Sequence, residues 1–368
     1  MNDSCAKTGS KPFHRSGLLV VLGAALLLSG CAETKMVMRM DAAGQTESTK
    51  TVWPASPEIP RFRYVGQLTG DENFTPADID SRGTAKKIFY WLVGLTGSNE
   101  ERVVLQRPQS GMVDAAGRVY VTDVSRQAVF VFDQAAGELR VWDRAEGSDK
   151  FVAPVGIAAG ENGQILVADA ELGRVFRLDA GGNPLGSFGA GVLKRPTGLA
   201  RDPARGLVYV ADTHAHDVKV FDDRGVLQET LGNRGEADGE LNYPTHLAFA
   251  DGKLYVSDSM NSRIQVLDTQ GHVLGKFGKR GLYVGNFTRP KGVALDGSGN
   301  IYVVESFYDN LLVFGNDGKF LMPIGGTGKG IGQFYLPAGV WCDAQNKVYV
   351  ADMFNGRVVI FQALEGAP

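Results

Sequence analysis

From Pro108 onward, apolar and polar residues alternate in short runs broken by Gly-, Asp- and Asn-rich turns. That period of two is the pattern of half-buried strands joined by hairpins. One phrase recurs six times: Pro, a small residue, apolar residues, a turn, then a run resembling Tyr-Val-x-Asp, then an apolar strand. Its copies start at Pro108, Pro154, Pro196, Pro244, Pro290 and Pro337. The best preserved read PTGLARDPARGLVYVADTHAHDVKVFD from Pro196, PTHLAFADGKLYVSDSMNSRIQVLD from Pro244 and PKGVALDGSGNIYVVESFYDNLLVFG from Pro290. A period in the forties with three or four short strands per copy predicts propeller blades, because one small antiparallel sheet cannot bury both faces alone.

In the third copy the strands are expected at 198–202, 207–212, 218–222 and 227–232. The last copy offers strands at 339–343, 347–352 and 357–362, and then the sequence almost ends, so its fourth strand is missing. Upstream, Phe62-Arg63-Tyr64-Val65-Gly66-Gln67-Leu68 has the alternation and the Gly of the other fourth strands. It is therefore expected to complete the last blade, which removes a free sheet edge and ties the two ends of the ring together. The fold class is all-β, a six-bladed β-propeller over 58–364.

These repeats resemble the NHL-repeat family of six-bladed propellers, across roughly residues 58–364. The resemblance implies the fold. It leaves the activity open, because relatives with this repeat include a lyase, protein-binding modules and RNA-binding modules.

The N-terminus speaks to location. Lys7, Lys11 and Arg15 precede an apolar stretch, Leu18 to Leu28, that is short for a membrane span and reads as a secretory signal. It ends in Leu28-Ser29-Gly30-Cys31, which resembles the cleavage box of bacterial lipoproteins and implies a lipidated Cys31 after removal of the signal, with 1–31 as the signal unit. Several acyl chains on one Cys anchor a protein stably. Ala32 follows, and the lipoprotein sorting rule then implies the outer membrane of a bacterial envelope. Residues 32–57 are polar, with Met36, Met38 and Met40 alternating among them, and are expected to form a flexible tether. Fully extended, it would reach roughly 90 Å. An insertion at 78–96 carries Ile88, Trp91, Leu92 and Leu95 at helical spacing, which predicts a short amphipathic helix. Its Trp91 either packs on the propeller or contacts a partner or lipid.

A net charge of −3 offers no broad basic field, so nucleic acid is not an expected partner. Of the three cysteines, Cys5 leaves with the signal, Cys31 carries lipid and Cys342 is left alone, so no disulfide is expected.

Six carboxylates, Asp123, Asp169, Asp212, Asp258, Glu305 and Asp352, close the second strands. Asp in such places accepts backbone N–H bonds in the turn, and that is the role expected here. Histidines are scarce. His246 stands where four other copies have Gly156, Gly198, Gly292 and Gly339, near the expected axis, and resembles by position a zinc ligand of NHL-repeat amidating lyases. With His214, and with Asp258 as a third ligand, it forms the candidate divalent-metal set. No required cofactor is expected beyond that candidate metal. Two readings follow. The first is a membrane-anchored module binding an envelope protein or a polysaccharide through the loops after the second strands, with His214, His216, Phe307, Tyr308, Phe354 and Trp91 as candidate contacts. The second is a metal-dependent lyase or hydrolase acting at the propeller axis.

Overall fold

A computed structural model of the chain describes residues 36–40, 51–76 and 102–364. The signal unit with Cys31 and the insertion 78–96 with Trp91 lie outside the described residues.

Six of the eight sheets formed by the described strands are arranged as blades. Blade 1 runs Pro108–Val113, Val119–Asp123, Ala128–Asp133 and Glu138–Trp142. Blade 2 runs Pro154–Ala159, Ile165–Asp169, Arg174–Leu178 and Pro184–Phe188. Blade 3 follows as Pro196–Asp202, Leu207–Asp212, Asp217–Asp222 and Leu227–Leu231, close to the expected limits. Blade 4 comprises Pro244–Ala250, Lys253–Asp258, Arg263–Leu267 and Val273–Phe277, and blade 5 Pro290–Leu295, Ile301–Glu305, Asn310–Phe314 and Phe320–Gly325. Each is a four-stranded antiparallel meander.

Blade 6 is made from both ends of the chain. Val340–Cys342, Lys347–Asp352 and Arg357–Ala363 come from the C-terminal copy, and Phe62–Leu68 pairs antiparallel with Arg357–Ala363 as the missing fourth strand. Phe62, Tyr64 and Leu68 turn inward and are buried at the seams on either side. Each such side chain stabilises the ring by roughly 1.5–3 kcal/mol.

Among the described residues the apolar side chains gather into six clusters, each bridging two neighbouring blades. The repeat supplies them. Val and Ile on both faces of the second and third strands reach the two adjacent seams, which is why those strands are apolar almost without interruption. The motif tyrosines are buried too, and Tyr120, Tyr302 and Tyr349 donate their hydroxyls to Asp114, Asp296 and Asp343 at the far turns, at 3.0, 2.7 and 2.9 Å. Around the axis the inner strands approach so closely that a Cβ at Gly156 would lie 2.1 Å from Thr197 O, and one at Gly339 2.4 Å from Gln109 O. Only glycine admits that approach.

One expectation is corrected. The described parts of the 32–57 tether are folded onto the propeller. Met36–Met38 pairs with Phe74–Pro76, and the Gln67 amide donates to Met40 O at 2.6 Å. Val52–Trp53 adds a fifth strand outside Phe62–Leu68, and Trp53 packs edge-on against Phe361 at 5.3 Å. The cause is the exposed backbone edge of the closing strand, which is satisfied by pairing with whatever chain lies nearest. From Cys31 to Met36 the chain can extend at most about 18 Å, so a lipid on Cys31 would hold the domain near its membrane.

Deleting residues 58–70 is expected to lower the thermal midpoint sharply and abolish a single cooperative transition, whereas Leu68→Ala should cost about 2–5 kcal/mol in urea unfolding. Unfolding indistinguishable from the intact domain in both variants would contradict closure by this strand.

Candidate functional site

The strand register defines two ends of the ring. Pro108 pairs with Asp123, Pro154 with Asp169, Pro196 with Asp212, Pro244 with Asp258 and Pro290 with Glu305. The starts of the inner strands, the turns after the second strands and the connectors between blades therefore share one end, here the connector end.

At that end each of the six carboxylates is buried and spent on the fold. Asp123 accepts N–H bonds from Gln106 and Arg107 with one oxygen and from Ser125 and Arg126 with the other, at 2.7 to 3.0 Å. Asp169 repeats this with Val152, Ala153, Glu171 and Leu172. Asp212 holds Lys194 N and Arg195 N. Asp258 and Asp352 each hold one connector amide and a buried Arg, Arg263 and Arg357, at 2.7 and 2.8 Å. Glu305 reaches Thr288 N, Arg289 N and Phe307 N. Burial pushes the carboxyls of Glu305 and Asp352 upward, and the N–H donors oppose it. The turn bonds expected from sequence are found at Asp123, Asp169 and Glu305, and all six carboxylates also hold an amide of the incoming connector.

The turns repeat as well. Gln127, Gly173, His216, Ser262, Asp309 and Gly356, each four residues after the carboxylate, all have φ between 53° and 62°. His216 is thus the left-handed residue of a recurring turn. It is buried, its ring packs 4.4 Å from Tyr243, and its Nδ1 accepts the Tyr243 amide at 3.3 Å. Burial first, then the charges of Arg234 and His214, hold its pKa below the ordinary histidine value. As a surface contact His216 is corrected to a structural residue. His214 is exposed beside the same Tyr243, at 6.2 Å between ring centres.

The metal set does not assemble. Asp258 is taken by Asn242 N, Asn261 and Arg263, and among the described residues no three His, Cys, Asp or Glu side chains form a group able to hold a metal ion. His246 stands apart, lining an axial cavity of about 250 Å³ with Ile157, Leu199, Leu247, Val293 and Trp341. Both its ring nitrogens are sealed from solvent without a partner. Burial, helped by the Lys291 charge, drops its pKa to about 3, so it is neutral at physiological pH. The three candidate ligands do not converge on one point, and His246 stands with both ring nitrogens out of contact with any partner.

The candidate aromatics fare better. Phe307 and Phe354 are exposed at the connector end, Phe307 standing edge-on to the half-buried Tyr308 at 5.0 Å. Sequence reasoning missed their companions. Tyr335 is exposed and packs edge-on to Phe354 at 5.7 Å, and the Arg107 guanidinium lies 5.0 Å from the Phe354 ring centre. Tyr243 is exposed in the connector before blade 4. In the next connector Leu282 and Tyr283 are 85% and 83% exposed, where the preceding connector carries Glu236-Ala237-Asp238. The signal was there: an apolar triplet, Leu282-Tyr283-Val284, inside a Gly-rich connector.

A family model described as NHL repeat matches residues 193–221, and one described as a 6-bladed beta-propeller matches residues 296–367. Among solved structures the chain is similar to a virginiamycin B lyase from Staphylococcus aureus, at 14% identity and TM-score 0.51, with 70% of this chain and 96% of that one covered. It is similar to a gluconolactonase from Xanthomonas campestris at 17% identity and TM-score 0.54, covering 72% and 90%. Hydrazine synthase of Kuenenia stuttgartiensis gives 13% and 0.52, covering 74% and 99%. At these identities the likeness is one of fold. No curated protein matches the chain by sequence.

Removing the Asp258 carboxylate leaves Arg263 charged, buried and without its nearest anion. Asp258→Ala is expected to cost about 3–5 kcal/mol in denaturant unfolding, and a cost under about 1 kcal/mol would contradict the pinning role. Lys291 gives a second test. Burial, then the charges of Arg289 and Arg107, lower its pKa to about 8 from 10.5. A lysine depressed on folding weakens the native state while charged, and stability returns as pH rises from 8 towards 10.5. Lys291→Met should therefore exceed the parent in stability by on the order of 2 kcal/mol at pH 7, with the gap closing by pH 10. A gap independent of pH would contradict it.

Proposed function

We propose that this chain, a six-bladed β-propeller carrying NHL repeats, works as a binding module held at a bacterial envelope membrane by a lipid on Cys31. Its partner is an envelope protein or polysaccharide engaged at the connector end. One observation carries the reading. Phe307, Tyr335, Phe354 and Tyr243, with Leu282 and Tyr283 beside them, put exposed aromatic and apolar surface at the connector end of blades 4 to 6. Aromatic side chains on a rigid frame supply large contact area at small entropic cost, and they are enriched where partners bind. The frame is rigid because the carboxylates at its turns are all committed to connector amides.

Chemistry at the axis is the weaker reading. The cavity has volume for a small molecule, but His246 is neutral and sealed, and burial drives the Cys342 thiol well above its ordinary range. Neither group is poised for acid, base or nucleophilic work at neutral pH.

Two variants test the proposal. Cys31→Ala should lose incorporation of labelled fatty acid and move from the membrane to the soluble fraction. The triple variant Phe307→Ser, Tyr335→Ser, Phe354→Ser should fold as the parent does and lose cosedimentation with purified cell-wall polymer or cross-linking to envelope proteins. Retention of both associations in the triple variant would overturn the binding face, and an unlabelled parent would overturn the anchor.

A further inference from the structure

The described N-terminal segment joins the propeller at the end opposite the connectors. In blade 1 the inner and third strands run away from the connector end and the second and fourth run back, so the turn from Asp133 to Gly137 lies at the opposite end. Gly137 closes that turn by donating its N–H to Asp133 O at 2.9 Å. Met36 lies against it, so close that a Cβ on Gly137 would stand 2.1 Å from Met36 O. From there the segment climbs. Met38 pairs with Phe74, whose ring stacks on Phe132, one residue before Asp133. Met40 O then accepts the Gln67 amide, next to Leu68, which pairs with Val358 near the connector end of the closing strand. Residues 36–40 thus run up the blade from the opposite end towards the connector end, and the chain that leads back to Cys31 leaves from the opposite end.

We infer that the domain hangs from its membrane by this opposite end and turns the connector end away from the bilayer, so that the partner of the exposed aromatics stands clear of the membrane holding the lipid. The inference rests on the lipid anchor at Cys31 proposed above and gives it a direction. Lengths decide between the two ends. Cys31 to Met36 spans at most about 18 Å, whereas the seven residues of Phe62–Leu68 alone cover roughly 20 Å of the height of the ring, and the connectors stand beyond them. A lipid on Cys31 therefore cannot bring the connector end down onto its own bilayer. The two surfaces agree with this. The opposite-end turns at 114–118, 179–183, 268–272 and 296–300 carry no exposed large apolar side chain, so they suit water and headgroups and have nothing to bury among acyl chains. Leu282, Tyr283, Phe307, Tyr335 and Phe354 are exposed at the connector end, where the short tether keeps them out of that lipid and open to a partner.

Energy transfer from single labelled cysteines to a fluorescent lipid tests the direction. The full-length lipidated protein, in a Cys342→Ala background, is reconstituted into vesicles of phosphatidylethanolamine and phosphatidylglycerol with one exposed residue replaced at a time. Ala116→Cys and Gln270→Cys mark the opposite end of blades 1 and 4, and Ser125→Cys and Met260→Cys mark the connector end of the same blades. Each variant is checked for incorporation of labelled fatty acid and for native circular dichroism. The labels at 116 and 270 should transfer about twofold more efficiently than those at 125 and 260, as a strand's length of roughly 20 Å between the ends requires. Stronger transfer from the connector end overturns the inference. So does equal transfer from the two ends with blade 1 exceeding blade 4, which would mean a ring lying on its rim. Either result, in a protein that carries the fatty acid, leaves the anchor standing. A parent that takes up no fatty acid overturns the anchor, and the direction with it.

Discussion

The structure depends on buried carboxylates that hold backbone amides. At each blade the Asp or Glu closing the second strand lies beneath the connector and accepts its N–H groups. A connector amide in that position has no strand to pair with, and leaving it buried and unmet costs about 1–3 kcal/mol. One side chain therefore fixes two things at once, the entry of the inner strand and the tight turn after the second strand. Those turns also display Phe307 and Phe354, so the same bonds that close the ring set the positions of its exposed aromatics.

The fold was legible because the repeat is written in residues whose roles are physical: Pro to start the inner strand, Tyr to reach the far-turn Asp, and a carboxylate to end the second strand. The closing strand Phe62–Leu68 was legible by the same alternation. Met36–Met38 was not. Three alternating residues are too few to distinguish a strand from a polar linker, and their partner Phe74–Pro76 is distant in sequence. The site was legible only in part. Phe307 and Phe354 follow the second-strand carboxylate and were found there, whereas Tyr243 and Tyr335 lie in connectors whose Gly-rich sequence masks exposed aromatics. Scarcity drew attention to the histidines, yet Gly173 and Gly356 at the position of His216 mark it as a turn residue requiring positive φ. His246 replaces a glycine at the crowded axis, and its two unmet nitrogens have no physical account beyond that crowding.

The most direct measurement is hydroxyl-radical footprinting of the protein in intact envelopes against the purified domain. Protection of Tyr243, Phe307, Tyr335 and Phe354 in the envelope, with the opposite turns at Asp114–Arg118 and Asp296–Asn300 equally reactive in both, is the result expected of a connector-end binding face. Protection confined to those opposite turns, with the aromatics oxidised as fast in envelopes as in solution, would contradict it.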